Sequence, residues 1–166
     1  MIGRTPLLEL SETHTRALTH LIELVPPGEL PWILTGSANL RLQGVDIPVH
    51  DLDIQTDDRT VYLIEQRLGE FMQTAVHYWE SPGMKSLDGK AELEGIQIEL
   101  LANMAHKMPD GSWSLFTDFS RRICMDLHGR QVAVFPLEDE LAAYEAMGRT
   151  EKTALIRKAI ASLPNS

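Results

Sequence analysis

Cysteine is almost absent from this chain. Cys124 stands alone among 166 residues, so no internal disulfide can form and no cysteine-based zinc site can be built. The six histidines show neither H-x-H nor H-x-x-x-H spacing, which removes the usual histidine zinc patterns as well. Positive charge is scarce: 15 Lys and Arg stand against 24 Asp and Glu, for a net charge of −9. Such a surface is not built to hold long nucleic acid by neutralising phosphates, although a small pocket for one nucleotide stays open. No apolar run reaches membrane-spanning length, and the N-terminal stretch lacks the apolar segment of a secretion signal. No membrane partner is expected, and the expected location is cytoplasmic. Internal repeats and low-complexity tracts are also missing.

What is present suits a packed core, since 43% of the residues are hydrophobic. The length fits one domain with a helical appendix: an α/β core over 1–136 and a C-terminal helical segment over 137–166 packed on it. The most informative stretch runs from Trp32 to Asp57. It opens with the apolar run Trp32-Ile33-Leu34, turns at Gly36-Ser37, resumes a helical pattern to Leu42, and closes on Asp51-Leu52-Asp53-Ile54. In a strand, the side-chain period of two puts Asp51 and Asp53 on one face and Leu52 and Ile54 on the other. Two adjacent carboxylates repel and call for a cation, and oxygen ligands favour a hard one such as Mg²⁺. A strand followed by a small-residue turn and a helix start also suits an anion, since free N–H groups and the helix dipole point there. The plainer readings are a surface strand with alternating charges and an ordinary turn with a helix cap.

Along the rest of the chain, Ser11 caps an expected helix to Leu24, which Pro26-Pro27-Gly28 stops. A strand is expected over Leu30 to Thr35. A helix starting near Thr56-Asp57-Asp58 carries Val61, Ile64 and Leu68 at helical spacing. Phe71 to Trp79 reads as a strand, and Met84 to Leu93 as another strand or a hairpin. Ile96 to Leu101 alternates and then turns wholly apolar, as a central strand would, and it places Glu99 where a carboxylate is out of place unless that face is wet or coordinates something. Arg121 to Leu127 and Gln131 to Phe135 form a hairpin, with Cys124 as a structural thiol. Helices follow from Leu137, with Glu138, Asp139 and Glu140 in a first turn whose dipole favours them. Trp113 either stacks a base or plugs the core edge under a loop. Arg149 either reaches a phosphate or serves as a helix-end charge.

The order strand, Gly-Ser turn, helix, Asp-x-Asp strand, and a later strand with a further acid resembles the nucleotidyltransferase superfamily of the DNA polymerase β-like fold. The stretches GKAELEGIQIELLAN, DGSW and VAVFPLEDELAAYEAMGRTEK look like those of small prokaryotic nucleotidyltransferases. The resemblance implies an α+β fold, a nucleotidyltransferase-like mixed β-sheet flanked by helices with a C-terminal helical segment. It implies two Mg²⁺ ions on Asp51 and Asp53, with Glu99 completing the second site or acting as base. It implies a nucleoside triphosphate held at Gly36 and Ser37, with Arg41, Lys85 and Lys90 available to neutralise it. The expected reaction moves a nucleoside monophosphate, AMP from ATP in the first instance, to a hydroxyl of an acceptor left open, as is the oligomeric state. The alternative is a catalytically weak module on the same fold that binds nucleotide or a partner.

Overall fold

The structure is a computed structural model and describes residues 3–118 and 120–163; the first two residues and the last three of the expected C-terminal segment lie outside them. The elements follow in the order α1 (Glu12–Leu24), β1 (Ile33–Thr35), α2 (Gly36–Leu42), β2 (Leu52–Thr56), α3 (Thr60–Leu68), β3 (Met72–Glu80), β4 (Met84–Leu93), β5 (Ile96–His106), β6 (Ile123–Leu127), β7 (Arg130–Val134), α4 (Leu137–Ala146) and α5 (Thr150–Ser162). Among the described residues no helix is long and apolar enough to cross a membrane.

Local chemistry sets these bounds. Ser11 caps α1 as expected, its hydroxyl accepting from the His14 N–H at 3.0 Å. α3 starts later than the sequence suggests, because Asp57 Oδ1 accepts from the N–H groups of Arg59 and Thr60 and holds the turn ahead of the helix. β1 is shorter than expected. The Leu30 N–H is spent on the turn, donating to the Pro26 carbonyl at 3.1 Å, and Pro31 has no N–H for a ladder.

The strands form one mixed sheet in the order β3-β4-β5-β2-β1-β7-β6. β2 runs antiparallel to β1 and parallel to β5, and β1 runs parallel to β7. Alternation divides the sheet into two unlike faces. One face carries Leu34, Leu52, Ile54, Ile98 and Leu100, all buried beneath α1 and α3 in the main core. Each such side chain contributes roughly 1.5–3 kcal/mol by leaving water. The other face carries Thr35, Asp53, Gln55 and Glu99. α4 and α5 pack on α2 through a second apolar cluster that joins Leu40, Val45 and Ile47 to Leu137, Tyr144 and Ile156.

β5 holds one irregularity. Leu87 pairs with Ala102, but Lys85 pairs with Ala105, so Asn103 and Met104 together oppose Ser86. Asn103 adopts φ +53°, the left-handed conformation of a bulged residue. The extra residue reverses the alternation, so Glu99 and Leu101 are followed on the same face by Met104 and His106.

Candidate active site

Three strands bring carboxyl groups together on the polar face. Asp53 lies in register with Glu99 across the parallel β2–β5 pair. Lys90 of β4 pairs with Glu99, and Asp88, two residues earlier, shares its side of the pleat. Glu99 stands close enough to Asp53 and Asp88 for the three carboxyl groups to act on one another. Like charges so placed favour keeping a proton on one of them. Burial above all, then the Asp51 charge, pushes Asp53 up to about 6 against the lowering effect of the neighbouring Glu99. Burial and the charges of Asp53 and Asp88 push Glu99 up to about 8. Asp88 Oδ1 is buried without a hydrogen-bond partner among the described residues.

Among the described residues no group of three or more His, Cys, Asp or Glu side chains is placed to hold a metal ion. The donor chemistry nevertheless fits a hard divalent cation: all donors are oxygens, the groups repel one another when ionised, and one buried oxygen has no partner among those residues.

Gly36 opens α2 at φ +74°, where glycine is favoured. A Cβ there would stand 2.5 Å from Asp53 Oδ2, so the glycine admits a carboxylate of the cluster. Its N–H, expected to face a phosphate, donates to Glu140 Oε1 at 3.0 Å. The same oxygen accepts from the Thr35 hydroxyl and from Asn39 Nδ2. Glu140 is fully buried, and burial pushes it up to about 7 against the pull of these donors. A residue that reads as a first-turn charge is therefore the bolt between α4 and the Gly36 turn.

A cavity of about 490 Å³ opens over this face. Asp53, Glu99, Asp88 and Gln55 lie at its polar end, and Glu140, Tyr144 and Arg149 form the adjoining wall. Lys152 lies over the Tyr144 ring at 5.2 Å, and its charge and that of Asp53 attract each other. Beyond Leu101, which lies beside Gln55 and Asp88, the far end carries Trp79, Met84, Met104 and Leu115.

The residues singled out in the sequence fare differently. Asp53 and Glu99 meet. Asp51 sits in the bend before β2, accepts from Gln97 Nε2 at 3.3 Å, and acts on Asp53 through its charge without lining the cavity. Lys90 stays beside Glu99 by register but does not line the cavity. Ser37 is half-buried and does not line it either. Arg41 points elsewhere, its guanidinium donating to the Glu9 carbonyl at 2.6 Å and to Asp46 at 3.1 Å. Lys85 stacks on Trp113 at 4.7 Å, and Lys107 stacks on the same ring at 4.5 Å, so this Trp is clasped by two cations. Asp88 and Lys152 went unmarked in the sequence, and Arg149 lines the cavity rather than serving only as a helix end.

Comparison with known proteins agrees with this fold. The chain matches a nucleotidyltransferase structure from Thermotoga maritima, with a TM-score of 0.81 and 30% identity over 95% of this chain and 98% of that one. A lincosamide antibiotic adenylyltransferase, bound to lincomycin, shares the fold at a TM-score of 0.60 and 18% identity, over 89% of this chain and 96% of that one. No curated protein matches the sequence. Residues 17–160 match the family model of aminoglycoside-2''-adenylyltransferase. With most of its length covered by that match, this nucleotidyltransferase belongs to the aminoglycoside-2''-adenylyltransferase family.

Proposed function

We propose that the protein transfers the adenylyl group of ATP to a hydroxyl of a small-molecule acceptor, with Mg²⁺. The observation that carries this reading is the meeting of Asp53, Glu99 and Asp88 at the polar end of a cavity large enough for a bound ligand. Asp53, with Asp51 beside it, would hold Mg²⁺, which leaves Glu99 and Asp88 to act as the base. The ion would supply charge neutralisation at the transferred phosphate and a more acidic acceptor hydroxyl. Arg149, which lines the cavity, and Lys152, whose charge acts on Asp53 from behind that wall, supply positive charge for the triphosphate.

The acceptor oxygen forms a new bond to the α-phosphorus, the bond from that phosphorus to the bridging oxygen breaks, and pyrophosphate leaves with the electron pair. The hydroxyl proton passes to the Asp88–Glu99 pair. Gly36 keeps Asp53 in place by leaving room for its carboxylate, and Glu140 keeps Gly36 in place. The adenylyltransferase names in the family and in the lincosamide enzyme support AMP as the transferred group and an antibiotic-sized acceptor.

The test is calorimetric titration with an ATP analogue that cannot be cleaved between the α and β phosphates. Mg²⁺-dependent binding by the wild type, lost in Asp51→Asn/Asp53→Asn, is the expected result. A wild type that binds none of the ATP, GTP, CTP or UTP analogues would turn the reading to a partner-binding module.

A further inference from the structure

The two ends of the cavity ask for different chemistry. Positive charge and the carboxyl cluster occupy one end, beside α4 and the Gly36 turn. The other end, built by β3, β4, β5 and the loop after β5, offers Trp79, Met84, Met104 and Leu115. Trp79 is 39% exposed and Leu115 is 93% exposed. Large apolar side chains left open around a cavity mark a surface that a ligand covers. This end is also shaped by a strained residue. Asn103 takes a left-handed φ of +53°, and the resulting bulge turns Met104 and His106 toward the cavity. His106 adds no charge near neutral pH, because burial holds its pKa below that of an ordinary histidine.

Counter-charges for a polycation are missing. Besides the cluster of Asp53, Asp88 and Glu99, the carboxylates lining the cavity are Asp139 and Glu140. Glu140 is consumed by three donors from the Gly36 turn. Asp139 Oδ1 pairs with Arg121 at 3.2 Å, which leaves Oδ2, buried and without a partner, for one cationic group at most. An aminoglycoside carries several ammonium groups, each needing an anionic or well-solvated neighbour.

We infer that the acceptor of this enzyme is a hydroxylated molecule with an apolar or aromatic body, neutral or singly cationic, whose body lies on Trp79, Met104 and Leu115 rather than a polycationic aminoglycoside. The inference rests on the adenylyl-transfer reading and narrows its acceptor. It follows that the family name does not describe the substrate of this member. The body binds by apolar contact at one end and presents its hydroxyl to the carboxyl cluster at the other.

The test uses the full chain, first saturated with Mg²⁺ and the non-cleavable ATP analogue, then titrated calorimetrically with tobramycin, lincomycin, chloramphenicol and 2-naphthaleneethanol. At least one of the last three binds about tenfold or more tighter than tobramycin, the gain that burying one large apolar side chain against a ligand provides. Leu115→Asp and Trp79→Ser weaken that binding by about tenfold, while affinity for the ATP analogue stays within about twofold. Leu115 is almost wholly exposed, so its variant tests the apolar surface without threatening the fold. Tighter binding of tobramycin overturns the inference. So does binding of none of the three apolar compounds while the nucleotide still binds. Loss of nucleotide affinity in Trp79→Ser also overturns it, because this end would then hold the base. A wild type that binds no nucleotide fails the transferase reading itself, and that outcome is distinct from all three.

Discussion

Glu140 and the Asp53–Asp88–Glu99 cluster place carboxyl groups against the same cavity and treat them in opposite ways. Glu140 is buried from all sides, yet its Oε1 accepts from the Thr35 hydroxyl, the Gly36 N–H and Asn39 Nδ2. The cluster receives no such service. Its members lean on one another, no ion pair among the described residues includes them, and Asp88 Oδ1 has no hydrogen-bond partner among those residues. A carboxyl group kept for structure is satisfied from within the fold. The groups assigned above to Mg²⁺ and proton transfer are left short of partners, and the fold carries the cost.

Asp53→Asn should separate the two roles most sharply. Turnover, read as pyrophosphate release, should drop at least about 10³-fold, since several kcal/mol of transition-state stabilisation depend on the charge there. The urea midpoint of the same variant should hold or rise, because a buried repulsion is removed. A large fall in stability would break the comparison. Glu140→Ala should show the reverse emphasis. Three donors lose their acceptor, and roughly 2–4 kcal/mol of stability should go, seen as a lower urea midpoint at unchanged slope. Gly36→Ala lies between the two sites. Strain at positive φ costs about 1–3 kcal/mol, and the new methyl displaces Asp53, so Mg²⁺-dependent nucleotide affinity should weaken in step with stability.

The pH dependence carries a defined sign. Asp53, Glu99 and Glu140 ionise at 3.8, 4.5 and 4.5 as ordinary groups and at about 6, 8 and 7 in the folded protein. The native state therefore holds protons that the unfolded chain has released. The contribution of these groups is complete below the ordinary values and is lost as pH rises from about 4 through about 8. Thermal melts should show lower stability at the upper end of that window. Mg²⁺ should offset the share of the cluster and leave that of Glu140, while Glu140→Gln should remove only the latter. The smallest effect belongs to Arg41→Ala. This side chain is tied to Glu9 and Asp46, and its removal should leave nucleotide affinity within about twofold, a fraction of 1 kcal/mol.

Part of this was legible in the sequence, for reasons of range. Asp53 and Glu99 stood out because each sits in a strand whose alternation is written in a few consecutive residues, and the α+β sheet was implied by the family resemblance that these residues carry. Gly36 was visible as a turn, but its reason was not. The carboxylate that fills the space beside it comes from β2, and the group on its N–H comes from α4. Asp88 was hidden because its side of the pleat depends on pairing with β5, and Gly89 beside it blurs the pattern. Glu140 looked like any acid in a first helical turn, where the dipole alone would account for it. Arg41 and Lys85 illustrate the converse: a cation near a motif in sequence can spend its charge on another neighbour.

The bond from Gly36 to Glu140 spans 104 residues. During synthesis the strands β1 to β5 leave the ribosome well before their last partners exist. Until β7 arrives beside Leu34, β1 is an edge with bare backbone groups, open to pairing with the wrong chain. The carboxyl cluster can assemble in that interval, but the bolt that holds Gly36 beneath it cannot. The timing of its own translation thus makes completion of the Gly36 turn a final step, and the nascent intermediate, with its apolar edge uncovered, is the form that would most need a chaperone.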